Sequence, residues 1–203
     1  RLAEGHLHAQ HVIGSAEPGR EPLLGGGEVL LRHGEPLLCR GQSPVKAEDP
    51  EVDPMIARCV LEKRTLTATW GADCLALADC VVVDVQCDYL KHDLGNLKTG
   101  EADMAALEAT MRVIGGAVRA ECLVLIETTV APGTTEFVAW PILKKAFADR
   151  GIASDPLLAH SFERVMPGRE YVSSIRDFWR VCSGCNAEAR RRVERVLREG
   201  LNT

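Results

Sequence analysis

Apolar runs that stop on polar residues, alternating with helical periods, predict an α/β chain with a doubly wound, mostly parallel sheet and helices on both faces. The first such run, Leu123-Val124-Leu125-Ile126, passes through Glu127-Thr128-Thr129-Val130-Ala131-Pro132-Gly133 into Thr134-Thr135. A strand buried on both faces reads as a continuous apolar run, and the Pro-Gly turn leads to two threonines able to cap a helix. The second run, Pro156-Leu157-Leu158-Ala159-His160, ends on Ser161-Phe162-Glu163-Arg164. Ligands of open α/β sheets bind outside the C-terminal strand ends. The two runs therefore present a threonine and a glutamate–arginine pair to one crevice.

The remaining elements follow in order. Leu66–Thr69 reads as a short strand, Ala72–Ala78 as a short helix, and the β-branched run Cys80–Val85 as a buried strand. After a polar stretch, Lys91–Glu101, comes the clearest helix. Asp103 caps it, and Met104, Leu107, Met111, Ile114 and Val118 form its apolar stripe. A helix from Thr134 to about Arg150 is expected to kink or break at Pro141 and to end at Gly151. A strand over Phe178–Cys182 and a helix from Asn186 to Gly200 complete the series. Val12-Ile13-Gly14-Ser15 could be a strand, but the Gly- and Pro-rich stretch from Pro18 to Gly27 has no period, so residues 1–40 are expected to be poorly ordered.

The formal net charge of −5 argues against nucleic acid or a membrane surface as the main partner. Arg190, Arg191, Arg192, Arg195 and Arg198 alternate with Val193, Val196 and Leu197 at helical spacing, which reads as a solvated helix face. No run is long enough to span a membrane, and the N-terminus lacks a signal peptide's apolar core. The eight cysteines are irregularly spaced in a chain too long to need staples, so a reducing, cytoplasmic setting is expected. Cys182-Ser183-Gly184-Cys185 has metal-knuckle spacing without a second pair, and His6, His8 and His11 add no complete ligand set, so no metal is expected. The triple glycine at 25–27 neither follows a clear strand nor opens a helix, and reads as a loop.

Taken together, an ordered series of strings resembles the UDP-glucose/GDP-mannose dehydrogenase family, most closely its UDP-N-acetyl-mannosamine/glucosamine 6-dehydrogenase branch. Gly41-Gln42-Ser43-Pro44-Val45 with Glu48-Asp49-Pro50 resembles G-x-S-P-I followed by E-P-G-L. Leu66-Thr67-Ala68-Thr69 and Ala78-Asp79-Cys80-Val81-Val82-Val83 resemble its L-x-A-T and A-D-V stretches. Glu127 to Thr135 resembles E-S-T-V-P-P-G-T-T, and Ser161 to Gly168 resembles S-P-E-R-x-x-P-G. The resemblance covers about residues 41–185 and implies a Rossmann-like NAD-binding domain. By the same resemblance, residues 1–40 are the remnant of a first helix, second strand and loop. The first strand and its G-x-G-x-x-G turn are then missing, and Ser15 or Ala16 stands where the family has an acidic residue. Residues 41–203 are the rest of the domain, ending before the family's central helix, which also forms its dimer, and before the Gly-x-Cys nucleophile.

The resemblance implies oxidation of a UDP-N-acetylhexosamine C6 alcohol to the uronate, by two hydride transfers to NAD. The parent enzyme would be a homodimer or higher, and the chain alone would not turn over. Thr129 would sit near the nicotinamide and a catalytic water, its other reading being a strand-end hydroxyl bonded to local backbone. Thr128 and Val130 would be neighbours of the cofactor. Glu163 would assist proton transfer, with a pKa that a closed crevice could raise, and would also meet the substrate. The alternative is an exposed carboxylate after a strand. Arg164 would bind the substrate's charged or acetamido-bearing part or form a plain surface ion pair. Val85 and Gln86 stand where the family loop passes the cofactor, and only their backbone contact carries over, since the Thr-Pro of V-x-T-P is Cys87-Asp88 here. Cys87 is not expected to be a nucleophile, having no nearby base in the sequence. A non-catalytic nucleotide-sugar-binding or interaction domain is the competing expectation.

Overall fold

The computed structural model describes residues 10–13, 37–69, 71–87, 89–91 and 100–200. Their order is β1 (Gln10–Ile13), α1 (Val52–Ala57) running into a π-helical turn (Arg58–Glu62), a 3-10 helix (Ala72–Leu77) and β2 (Cys80–Val83). Next come β3 (Tyr89–Lys91), β4 (Gly100–Ala102), α2 (Ala105–Ala117), β5 (Leu123–Ile126), and a π-helical turn (Thr135–Ala139) leading into α3 (Trp140–Asp149). The series closes with β6 (Leu157–His160), α4 (Tyr171–Asp177), β7 (Ser183–Gly184) and α5 (Ala187–Gly200). The main sheet has the order β1-β2-β5-β6-β7, parallel except for β7. The expected class, a mostly parallel doubly wound sheet, is the one observed.

Strand alternation divides the core into two layers. Val81, Val83, Val124, Ile126 and Leu158 pack with α2 and α3 residues Leu107, Met111, Ile114, Leu143 and Phe147. Cys80, Val82, Leu123, Leu125, Leu157 and Ala159 pack with Ala189, Val193 and Leu197 of α5. Burial on both faces explains why these strands read as unbroken apolar runs. The α2 stripe is as expected, and the Asp103 carboxylate accepts the Ala105 N–H at 3.0 Å.

Several local expectations are corrected. Leu66–Thr69 is extended chain without a strand partner among the described residues. Lys91–Glu101 is not merely polar linker: its two ends pair as the β3–β4 antiparallel hairpin. Thr134 starts its helix with helical backbone angles and no side-chain cap, its hydroxyl facing the Met104 sulfur at 3.9 Å. Pro141 lies in the first turn of α3, just after the π-helical turn, where its missing N–H is tolerated. Gly151, at φ +73°, ends α3 as expected, and the Ile152 N–H closes back on the Phe147 carbonyl at 2.9 Å. The strand expected at Phe178–Cys182 is instead the two-residue β7, one position further on, and Trp179 and Val181 point to solvent.

Among the described residues β1 lies at one edge of the main sheet. It pairs in parallel with β2, Ile13 opposite Val83. In the 3-2-1-4-5-6 order of a doubly wound sheet, the neighbour of the fourth strand on that side is the first. With β2, β5 and β6 as fourth, fifth and sixth, Gln10–Ile13 occupies the first strand's place. The pairing is the same for a first strand and for a second strand that takes a missing first strand's place, which is what the resemblance implies for Val12–Ser15. A strand's neighbour is set by crossover connections that a linear string does not display. The residues that follow β1 are Gly14-Ser15-Ala16-Glu17-Pro18-Gly19, the G-x-G-x-x-G spacing with alanine in the middle. Residues 1–9 and 14–36, which carry most of the expectation of poor order and His6 and His8, lie outside the described residues.

Asp49 ties the loop before α1 to the far end of the domain. Its buried carboxylate accepts the Glu51 N–H and the Val172 N–H, both at 2.8 Å, so one side chain caps the approach to α1 and the first turn of α4. These backbone hydrogen bonds, led by that of Glu51, hold its pKa below the ordinary 3.8. A depressed carboxylate pKa contributes stability above the unfolded value, and that contribution is lost as pH falls below 3.8 through the folded value. Asp49→Ala is expected to lower Tm by about 5 °C at neutral pH. The gap from the parent should close in thermal melts as pH drops below that range, and a gap that stays constant to pH 2 would refute the assignment.

Candidate functional site

The sheet pairing sets the C-terminal ends of β2, β5 and β6 side by side, with Val83, Ile126 and His160 in register. Backbone hydrogen bonds carry the contact past the strands. The Glu127 N–H donates to the Val83 carbonyl at 2.9 Å, the Ser161 N–H to Ile126 at 3.0 Å, and the Glu163 N–H to Glu127 at 2.8 Å. Thr128, Thr129 and Glu163, read from separate strings, are therefore brought to one edge. Thr129 is exposed, while Thr128 and Glu163 are half-buried. His160 Nε2 lies 3.3 Å from the Thr128 carbonyl and adds a further tie.

Individual side chains settle as follows. One Glu163 carboxylate oxygen, Oε2, accepts the Val165 N–H at 2.6 Å, which orients the group within its loop. The Met166 N–H donates to Ser174 Oγ at 2.9 Å, fastening the same loop to α4. Arg164 is exposed and its guanidinium lies 5.5 Å from the Phe178 ring centroid, a cation–π contact. Val130 leans on the core beside α2 and α3, Val85 is buried and Gln86 is exposed beyond β2. Cys87 packs against the same core layer.

An ion pair that the sequence strings did not single out lies beneath this edge. Arg180 Nη1 is 2.8 Å from Glu127 Oε1, with the arginine side chain 2% exposed and the glutamate 25%. Burial pushes the Glu127 pKa up, Arg180 opposes that shift, and the charges of Asp84 and Glu163 add to it. The Ser161 hydroxyl and Arg180 Nε are buried with no hydrogen-bond partner among the described residues. A lone arginine inside the apolar string Phe178-Trp179-Arg180-Val181-Cys182 was the available signal. The apolar residues on either side point out and the charge points in.

The thiols do not form a site. Cys182 packs on the α5 layer and Cys185 on the opposite layer, because three residues along an extended chain reverse the side. Burial pushes the Cys80 thiol up to about 12 and Cys122 and Cys185 up to about 11, the direction of an inert core thiol.

The NAD-binding domain of the UDP-glucose/GDP-mannose dehydrogenase family matches residues 38–199. The chain belongs to that family. It is similar to UDP-N-acetyl-D-mannosamine dehydrogenase of Pyrococcus horikoshii, 28% identical over 150 residues, which are 74% of this chain and 33% of that protein. It is also similar to Protein CapL of Staphylococcus aureus, 27% identical over 63% of this chain and 28% of that one. Among solved structures, NDP-N-acetyl-D-galactosaminuronic acid dehydrogenase from Methanosarcina mazei Go1 superposes with a TM-score of 0.69 at 27% identity, over 91% of this chain and 35% of its own. The chain thus spans about a third of the length of these relatives. What it contains is the family's NAD-binding domain, and the shared edge of β1, β2 and β5 is where a doubly wound sheet receives a dinucleotide. No helix among the described residues is long and apolar enough to cross a membrane.

Proposed function

We propose that this chain is the cofactor-holding part of a cytoplasmic nucleotide-sugar 6-dehydrogenase that oxidises a UDP-N-acetylhexosamine to its uronate and works as a dimer or higher oligomer. The observation that carries the reading is the meeting of Thr128, Thr129 and Glu163 at one strand edge, held by the Glu163 N–H to Glu127 carbonyl bond of 2.8 Å. NAD, when bound, supplies the hydride acceptor. The chain's own residues do the rest of the positioning. Gly14, Ala16 and Gly19 after β1 have the spacing of a turn that lets a pyrophosphate approach the backbone. Val85, Gln86, Thr128 and Val130 offer the cofactor backbone at neighbouring strand ends. The Thr129 hydroxyl can donate and accept, and so orients a water or the sugar alcohol without adding charge. Glu163, with Oε2 engaged by Val165, keeps its other oxygen to take a proton and to meet the sugar. Arg164, whose guanidinium lies over the Phe178 ring, offers its N–H groups to the anionic or acetamido part of the substrate.

Calorimetry with NAD and with UDP-N-acetylglucosamine tests the reading. Saturable NAD binding is expected, weakened about tenfold by Thr129→Val, the loss of one hydrogen bond to a bound ligand. Glu163→Gln should leave NAD affinity within about twofold, since its role is toward the proton and the sugar. Binding of the UDP-sugar with none of NAD would favour a nucleotide-sugar-binding module that does not turn over.

A further inference from the structure

The two acceptors of Arg180 belong to different strand ends. Nη1 donates to Glu127 Oε1, one residue after β5, and to the Phe162 carbonyl at 3.2 Å, two residues after β6. Thr128 and Thr129 follow the first directly, and Glu163 follows the second directly. The Glu163 N–H to Glu127 carbonyl bond completes a triangle around the same spot. Charge neutralisation alone is a weak reason for such a group. A buried ion pair can commonly be replaced by apolar residues without loss of stability, and the α5-side layer beneath it is built of Leu123, Leu125, Leu157 and Ala159. What a guanidinium adds, and a leucine pair does not, is direction: a rigid planar group whose Nη1 aims its two N–H groups at both acceptors.

We propose that Arg180 is a positioning residue of the crevice. By clamping the Glu127 side chain to the Phe162 carbonyl it fixes the separation between the Thr128–Thr129 pair and Glu163. This rests on the reading of the crevice as the NAD and sugar site. Lysine would keep the positive charge beside Glu127, but its ammonium rotates on a flexible four-carbon stem and is not held between the two acceptors as the rigid guanidinium is, so it replaces the charge without the clamp.

The test uses the full 203-residue chain with Arg180→Lys and with Glu127→Leu/Arg180→Leu, the second restoring an apolar fill. Three quantities are read: Tm, amide hydrogen exchange at Glu163 and Ser161 against Val124 as a core reference, and the NAD dissociation constant. The double variant is expected to keep Tm near the parent's and to leave Val124 exchange unchanged. Exchange at Glu163 should rise ~10-fold or more as the strand ends part, a local opening below the global one. NAD affinity should fall ~10-fold in both variants, because displaced strand ends no longer match the bound geometry. A double variant whose Glu163 exchange and NAD affinity equal the parent's overturns the clamp and leaves Arg180 as a structural ion-pair partner. A parent chain that takes up no NAD overturns the reading of the crevice and this proposal with it, so the two failures are told apart by the parent's own titration.

Discussion

Gly184→Val is expected to destabilise the domain by about 3 kcal/mol, the upper range for forcing atoms into a packed site. A Cβ at Gly184 would overlap the Arg190 backbone nitrogen and stand 2.8 Å from the Arg190 Cα and 2.9 Å from the Ala189 carbonyl carbon. All three are main-chain atoms in the first turn of α5, so no side chain can swing away. Either β7 leaves its pairing with β6 or the helix lifts. Lifting it strips Ala189, Val193 and Leu197 from Leu123, Leu125 and Leu157. Urea unfolding should show a lower midpoint with an unchanged slope. Gly116 supplies the control: nothing lies within 4 Å of its would-be Cβ, and it sits in the last turn of α2. Gly116→Ala is therefore expected to gain about 0.8 kcal/mol from helix propensity. Equal losses at the two glycines would show that the contact with α5 is not the cause.

Phe147→Ala is expected to cost about 4 kcal/mol, within the range for emptying an aromatic site in a core. Among the described residues Phe147 is the largest fully buried side chain, 2% exposed, on the α2–α3 layer. It also carries Arg150, whose guanidinium lies 6.0 Å from its ring centroid. Arg150 Nη1 donates to the Gly115 carbonyl at 2.8 Å and the Val118 carbonyl at 2.7 Å, satisfying groups that the C-terminus of α2 leaves unpaired. The substitution thus opens a cavity and loosens the arginine that closes the neighbouring helix. Arg150→Met, which removes only the second effect, should cost about 1–2 kcal/mol. If both variants lose the same stability in urea unfolding, the cavity contributes nothing and the argument fails.

The strands β2, β5 and β6 were legible because burial on both faces leaves a run with no polar interruption, and α2 because its stripe holds the helical period for four turns. The same logic misled at Phe178–Cys182. An apolar string there suggested a strand, yet Trp179 is 81% exposed and the inward position belongs to Arg180, whose counter-charge lies 53 positions earlier in the chain. A buried charge is decided by its partner, and the partner is not local. The β3–β4 hairpin was missed for a related reason: its pairing rests on two three-residue segments, and three residues carry too short an alternation to read as a strand. The candidate site was legible as two strings, Glu127–Thr135 and Ser161–Gly168, but their meeting depends on β5 and β6 being neighbours, which the resemblance implied and the hydrogen bonds between the strand ends show. The place of β1 was not legible at all. Its four residues fit a first or a second strand equally well, and the pairing with β2 serves either.

The Asp49 carboxylate joins residues 123 positions apart in the chain. Between them lie β2, β5 and β6, each pair linked by a far shorter crossover. Loop-closure entropy must be met before a contact of that span is rewarded. The Asp49–Val172 bond is therefore expected to form late, after the central strands have assembled, and to be absent from the rate-limiting step. Substituting Asp49 would then leave the refolding rate near that of the parent and quicken unfolding. The two rates of Asp49→Ala, read side by side, are then expected to show the outermost tie governing how long the fold lasts once made and the central strands how fast it is made.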